Sequence, residues 1–135
     1  MKKSILIRII FTALMGICFS TCAGSGSKNA PIWEGMFTWV IPAASGPGIS
    51  VVAILNADKT YHITYHYIDR GTEVYVFTGS FEWNEKTKTV TLDNSEIPPY
   101  YLAGRNTLTQ LDGEGNRITG PLAGNYQLRR VTIPR

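Results

Sequence analysis

From Trp33 onward the apolar residues do not recur at helical spacing. They fall in short β-branched and aromatic runs cut by turn residues, the signature of strands. Met36–Ile41 reads as the first strand and ends at Pro42. The stretch from Ala43 to Gly48 is a loop, because its Gly and Pro content breaks a regular ladder. Ile49–Leu55 predicts a buried strand, and Thr60–Ile68 follows the turn Asn56–Lys59. Glu73–Trp83 is the next strand, with Gly79 as its expected bulge or bend. Further strands are expected at Thr89–Leu92, Tyr100–Leu102, Thr107–Leu111 and Asn125–Ile133. Seven or eight strands with short connections predict an all-β, antiparallel, up-and-down arrangement. A meander of this kind hides its edges by closing, so the expected fold is a small barrel of about seven to eight strands. A β-sandwich is the less favoured alternative, because local hairpins dominate over long crossovers.

The N-terminus has another pattern. Lys2 and Lys3 precede an apolar run that ends at Ser20, Thr21 and Cys22. A positive start, an apolar middle of about 11 residues from Ile9 and small residues at the end make a secretory signal peptide. The apolar stretch falls short of the roughly 20 residues that span a bilayer. Phe19-Ser20-Thr21-Cys22 resembles the lipobox of bacterial lipoproteins. That resemblance implies a signal peptide over 1–21 and Cys22 as the first mature residue. It also implies a diacylglyceryl thioether and an N-acyl chain such as palmitate on Cys22, and several chains on one residue anchor stably. Residues 22–30 then form a lipidated tether, small and polar after the cysteine, and 31–135 the folded domain.

Charge and cysteines sharpen this reading. The 135 residues carry 13 Lys+Arg and 10 Asp+Glu. Lys2, Lys3 and Arg8 fall in the signal peptide, so the mature chain is neutral and offers no basic footprint for nucleic acid. Both cysteines, Cys18 and Cys22, precede the domain. The domain therefore holds no disulfide and no thiol nucleophile.

Several motifs together resemble one family. They are Trp33-Glu34-Gly35 leading into Met36–Pro42, Pro47-Gly48-Ile49, Asp58-Lys59-Thr60-Tyr61, Gly79–Asn84, and Leu111–Asn116. In this order they are similar to the N-terminal domain of the NlpE family of copper-resistance lipoproteins, over about residues 33–130. The resemblance implies a lipocalin-like barrel tethered to the outer membrane and facing the periplasm. It implies a role in envelope stress sensing or copper tolerance, exercised through an envelope protein partner. Ala23 is not the aspartate of inner-membrane retention, which agrees with the outer membrane. The family carries Cys-x-x-Cys in the first loop. Here Ala43 and Gly46 stand in place of both thiols, so copper or redox chemistry at that loop is not expected. Pro42, Ser45 and Pro47 remain as a candidate binding loop.

Other constellations carry less. His62 and His66 are the remaining candidate metal ligands. On a strand, residues i and i+4 share a face but lie about 13 Å apart, too far for one ion without cross-strand partners. Glu82 with Glu85, and Asp112 with Glu114, sit at turns, where carboxylates satisfy backbone donors. Ser45-Gly46 lacks the surroundings of a nucleophile elbow, and Asp112–Asn116 lacks the closing glutamate of a calcium loop. No cofactor motif is present, and an enzyme is not expected. The aromatic residues, 11% of the chain, either fill the barrel or line a mouth that carries a small apolar ligand. An interaction module would instead expose an apolar patch, expected around Trp33, Ile41 and Pro42.

Overall fold

The computed structural model describes residues 30–132. The signal peptide, Cys22 and nearly all of the tether lie outside the described residues. Eight antiparallel strands follow one another around a closed barrel, β1 Gly35–Ile41, β2 Ile49–Leu55, β3 Thr60–Tyr67, β4 Val74–Asn84, β5 Thr89–Leu92, β6 Tyr100–Ala103, β7 Thr107–Gln110 and β8 Gln127–Arg130. The up-and-down topology is the expected one, and strand ends lie within a residue of expectation except at β8, which is shorter than the expected Asn125–Ile133. Before β8 the chain makes one 3₁₀ turn, Ala123–Tyr126, which the absence of helical periodicity did not anticipate. A single turn needs no apolar stripe, so it leaves no periodic trace.

Alternation of buried and exposed positions sets the register. Phe37, Val51, Ala53, Leu55, Tyr61 and Ile63 face inward and are almost fully buried. No polar or charged residue belongs to the buried core among the described residues. Trp39, Tyr65, Phe77 and Trp83 extend the same packed interior. Trp33 does not join the exposed patch that an interaction module would show there. Instead it plugs the end of the barrel where the chain enters, its ring 5.1 Å from that of Phe81 in an edge-on contact.

Gly79 makes no bulge. It pairs in register with Tyr61, and Ser80 pairs with Thr60. Its small size serves a different need. A Cβ at Gly79 would lie 2.8 Å from the Tyr61 hydroxyl and 2.3 Å from Asp93 Oδ1. The Tyr61 side chain crosses over Gly79 and donates to Asp93 Oδ1 at 3.0 Å. An aromatic side chain lying over a glycine on the neighbouring strand covers backbone that would otherwise be bare.

Closure depends on a narrow seam. β1 and β8 pair at only two positions, Phe37 with Arg130 and Thr38 with Arg129. Arg130 reinforces this seam with its side chain. Its Nη2 donates to Ile32 O at 2.6 Å and its Nη1 donates to Glu34 O. The guanidinium carbon sits 4.7 Å from the centre of the Phe37 ring. One planar donor group thereby ties the entering segment, β1 and β8 together. Arg130→Ala should lower unfolding stability by about 2 kcal/mol in urea titrations, the scale of hydrogen bonds from a charged donor. Arg130→Lys should recover less than half of the loss, because an ammonium cannot serve both carbonyls in the same plane.

Candidate functional site

The strands are unequal in length, and this shapes the site. β1 to β4 run for 7 to 11 residues, whereas β5 to β8 have 4 each. β5 reaches only Phe81–Asn84 of β4. Val74–Ser80 therefore have β3 on one side and no strand on the other. The long strands stand as a wall at the end of the barrel opposite the entry of the chain. The β1–β2 loop, the β3–β4 loop and the β5–β6 loop gather at this end.

Two open concavities meet here at Tyr67. One, of about 250 Å³, lies between the aromatic wall and the β5–β6 loop, and Tyr65, Tyr75, Phe77, Glu96 and Ile97 line it with Tyr67. The rings form edge-on pairs, Tyr65 with Phe77 at 5.9 Å and Tyr67 with Tyr75 at 5.7 Å. The second, of about 280 Å³, lies between the first loop and the β3–β4 loop. Pro42, Ala43, Ser45, Ile49 and Arg70 contribute to it with Tyr67. The Arg70 guanidinium covers the other side of this junction, 5.1 Å from the centre of the Tyr67 ring. Deeper in the barrel, burial pushes the hydroxyl of Tyr65 up and that of Tyr101 well above the ordinary phenol range. The buried indole Nε1–H of Trp39 has no partner among the described residues. Side chains fill the interior beneath the mouth.

The candidate binding loop is thus part of a real cleft, through Pro42 and Ser45. Its two special positions now have a physical description. Ala43 is part of the cleft wall, and Gly46 has a φ of 111°, a conformation that disfavours side chains. A Cβ at Gly46 would lie 2.5 Å from Asp69 Oδ2. The carboxylate of the next hairpin loop occupies the space a cysteine side chain would need.

His62 and His66 stand on the outer face of β3. The cross-strand neighbours of His62 are Ile54 and Thr78, and those of His66 are Ser50 and Val74. None of these is a customary metal ligand. The His66 Nε2 lies 2.8 Å from Gly71 O, across the β3–β4 loop. No cluster of three or more His, Cys, Asp or Glu converges among the described residues. The carboxylates at turns hold the chain. Asp112 accepts the N–H groups of Glu114 and Asn116, and Glu85 accepts the indole N–H of Trp83.

One important residue had no motif to announce it. Asp93 closes the end of the bare β4 edge. Its N–H donates to Ser80 O, and its Oδ2 accepts the Ser80 N–H, each at 3.0 Å. It completes the pattern of a neighbouring strand for one residue and then stops. The Ser80 hydrogen bond holds the Asp93 carboxyl below its ordinary pKa, with help from Tyr61. Burial, with Asp93 as the second cause, pushes the Tyr61 hydroxyl up to about 12.

Two outcomes follow from this geometry. Gly46→Ala should cost about 1–2 kcal/mol in urea denaturation, the scale of a side chain forced into a left-handed conformation. Gly46→Ala combined with Asp69→Ala should remain destabilised, since relieving the clash leaves the backbone strain. Asp93 has a lowered folded pKa, so its stabilisation is present above the unfolded value of about 3.9 and is lost as pH falls through the folded value. Thermal midpoints of Asp93→Asn should therefore change less than wild type between pH 6 and pH 3.

The comparisons with known proteins agree with this architecture. A family profile described as the NlpE N-terminal domain matches residues 37–121. A candidate lipoprotein from Shewanella oneidensis, known from a crystal structure, is 35% identical. The match has a TM-score of 0.65 and covers 75% of this chain and 91% of that one. The Cpx pathway activator NlpE from Escherichia coli shares the fold at 24% identity and a TM-score of 0.55. That match covers 64% of this chain and 46% of the Escherichia coli protein, so the chain spans about half the length of that relative. Comparison with curated proteins returns no significant match. By the extent of the profile match, and by its identity to a solved relative along most of both chains, this chain belongs to the NlpE N-terminal domain family.

Proposed function

We propose that this chain is a non-enzymatic lipoprotein of the cell envelope that acts in envelope stress or copper tolerance by binding another protein at the open end of its barrel. Family membership supports the envelope location. Anchoring in the outer membrane through Cys22, facing the periplasm, belongs to the proposal. The Escherichia coli relative of the same fold is a Cpx pathway activator, which is the reason for naming stress signalling.

The observation that carries the reading is the contrast between a filled interior and an apolar rim. Side chains pack the barrel, whereas Val40, Ile68, Val74, Tyr75 and Val76 are each 43–52% exposed at or near the open end, more than Ile32, Met36 and Val131 at the entry end, which are 38–41% exposed. Exposed apolar residues in one region mark interaction surfaces. The described chain begins at the opposite end from this rim, beside Trp33. A carrier of a small apolar ligand is the second reading. It draws on the aromatic cleft of about 250 Å³, below the usual size of a ligand pocket.

Direct thiol chemistry is not part of the proposal. The full chain with Cys18→Ser and Cys22→Ser, purified in detergent, should bind Cu(I) no more tightly than micromolar in competition with a chromophoric chelator. Tight stoichiometric binding would return copper to the folded domain and direct attention to His62 and His66. In cells carrying an envelope-stress reporter, overproduced wild-type chain should raise the signal. Cys22→Ser should release the chain from the membrane fraction and abolish that response, and Tyr75→Glu should abolish it while leaving the chain in the membrane. An unchanged response to Tyr75→Glu would sink the rim as the working surface.

A further inference from the structure

Two strands outrun their neighbours at the open end: Trp39–Ile41 of β1 has no partner on β8, and β4 has the longer bare edge, from Val74 to Ser80. Phe81 N–H donates to Lys59 O at 2.9 Å, which sets the phase of the β3–β4 ladder. Antiparallel alternation then turns the N–H and C=O groups of Tyr75, Phe77 and Gly79 toward β3 and those of Val74, Val76, Thr78 and Ser80 away from it. Asp93 satisfies both groups of Ser80. Val74, Val76 and Thr78 have no backbone partner among the described residues, and all three are exposed. The segment Val74–Thr78 is β-branched and aromatic, with no lysine, proline or bulge to blunt it. Natural sheets normally protect such an edge.

We infer that the β4 edge from Val74 to Thr78 receives an extended, basic segment of another protein as an added strand. The inference rests on the proposed docking at the open end and names the form of the partner. Backbone groups supply the pairing, and the cleft beside Tyr75, Phe77 and Glu96 receives alternate side chains of the incoming strand. Charge selects the occupant. Glu73 lies at the start of the edge, within 3.4 Å of the Tyr75 hydroxyl, Glu96 lines the cleft, and Asp93 closes the far end. None of the three has a salt-bridge partner among the described residues. Arg70, a cation at the rim, stacks on Tyr67 on the side of the other cleft. A second copy paired edge to edge about Val76 would bring Glu73 of each protomer toward Asp93 of the other. Like charges oppose that pairing and favour a strand carrying lysine or arginine.

The test uses the full chain in detergent and a blocked seven-residue peptide that alternates valine with threonine and carries lysine at each end. A counterpart peptide carries glutamate in place of lysine. Fluorescence anisotropy should show the lysine peptide binding at least tenfold more tightly. Saturation should slow amide exchange at Val74, Val76 and Thr78 at least tenfold and leave Tyr75 and Phe77 nearly unchanged. Val76→Pro removes one outward N–H and leaves the β3 ladder intact, so it should weaken binding at least tenfold, whereas Val76→Ala should weaken it less than threefold. The exchange measurement on wild type stands even where Val76→Pro fails to fold. Equal losses in the two variants would overturn strand addition and keep docking through side chains. Protection of the same amides without peptide, growing with protein concentration, would replace the basic partner with a second copy. An absence of peptide binding, with the reporter response still lost in Tyr75→Glu, would overturn strand addition alone. Absence of both effects would overturn the docking reading as well.

Discussion

Everything in this small barrel depends on closing the seam between its first and last strands. Two register pairs join β1 to β8, far fewer than the seven that join β1 to β2. A sheet of eight strands that did not close would leave two long edges bare and its inner face wet. Arg130 bridges the seam by reaching two carbonyls of the entering segment and covering the Phe37 ring. With the seam shut, Trp33 can seal the adjacent end against Phe81, and the apolar interior becomes continuous. In a domain with no disulfide, such packing and hydrogen bonding supply the whole of the stability.

The same economy explains the open end. Four long strands are joined to four short ones, so the long wall overhangs the short one. The overhang leaves aromatic residues half covered around Tyr67 and leaves β4 with one neighbour for most of its length. Tyr61, Gly79 and Asp93 mark where the complete ring stops, because Asp93 imitates a paired strand for a single residue. The first loop shows how this end is held. Gly46 adopts a conformation that belongs to glycine, with the Asp69 carboxylate against it. A side chain at Gly46 would meet both an unfavourable backbone conformation and the Asp69 carboxylate. What this end offers is surface and hydrogen-bonding edge.

Much of this was legible in the residues themselves. Ile49–Leu55 and Thr89–Leu92 have the bounds that their β-branched runs suggest, and Tyr61 and Ile63 point inward opposite His62 as alternation requires. The first loop was a candidate surface through the family resemblance, and Pro42 and Ser45 do line a cleft. Other features were misread for identifiable reasons. Gly79 looked like a bulge because a lone glycine in a strand often marks one, but here it makes room for Tyr61 and Asp93. Trp33 could have filled the core or joined an exposed patch, and it folds back over the barrel end. Asp93 follows a strand like any turn residue, and nothing local distinguishes it.

The sequence by itself determined the strand order, the inward and outward faces, the lack of a thiol in the domain and the family. These follow from alternation, turn chemistry and residue identity, all of which act within a few positions along the chain. Only the tertiary structure decided how far each strand finds a partner. Pairing lengths depend on where strands distant in sequence end relative to one another, and this left β4 with β3 as its one neighbour from Val74 to Thr78. It also decided what stands against Gly46 and Gly79, because Asp69 and Asp93 reach them from other hairpins. The chemistry of the open end lies in those long-range meetings, where single residues owe their roles to neighbours that the linear order does not reveal.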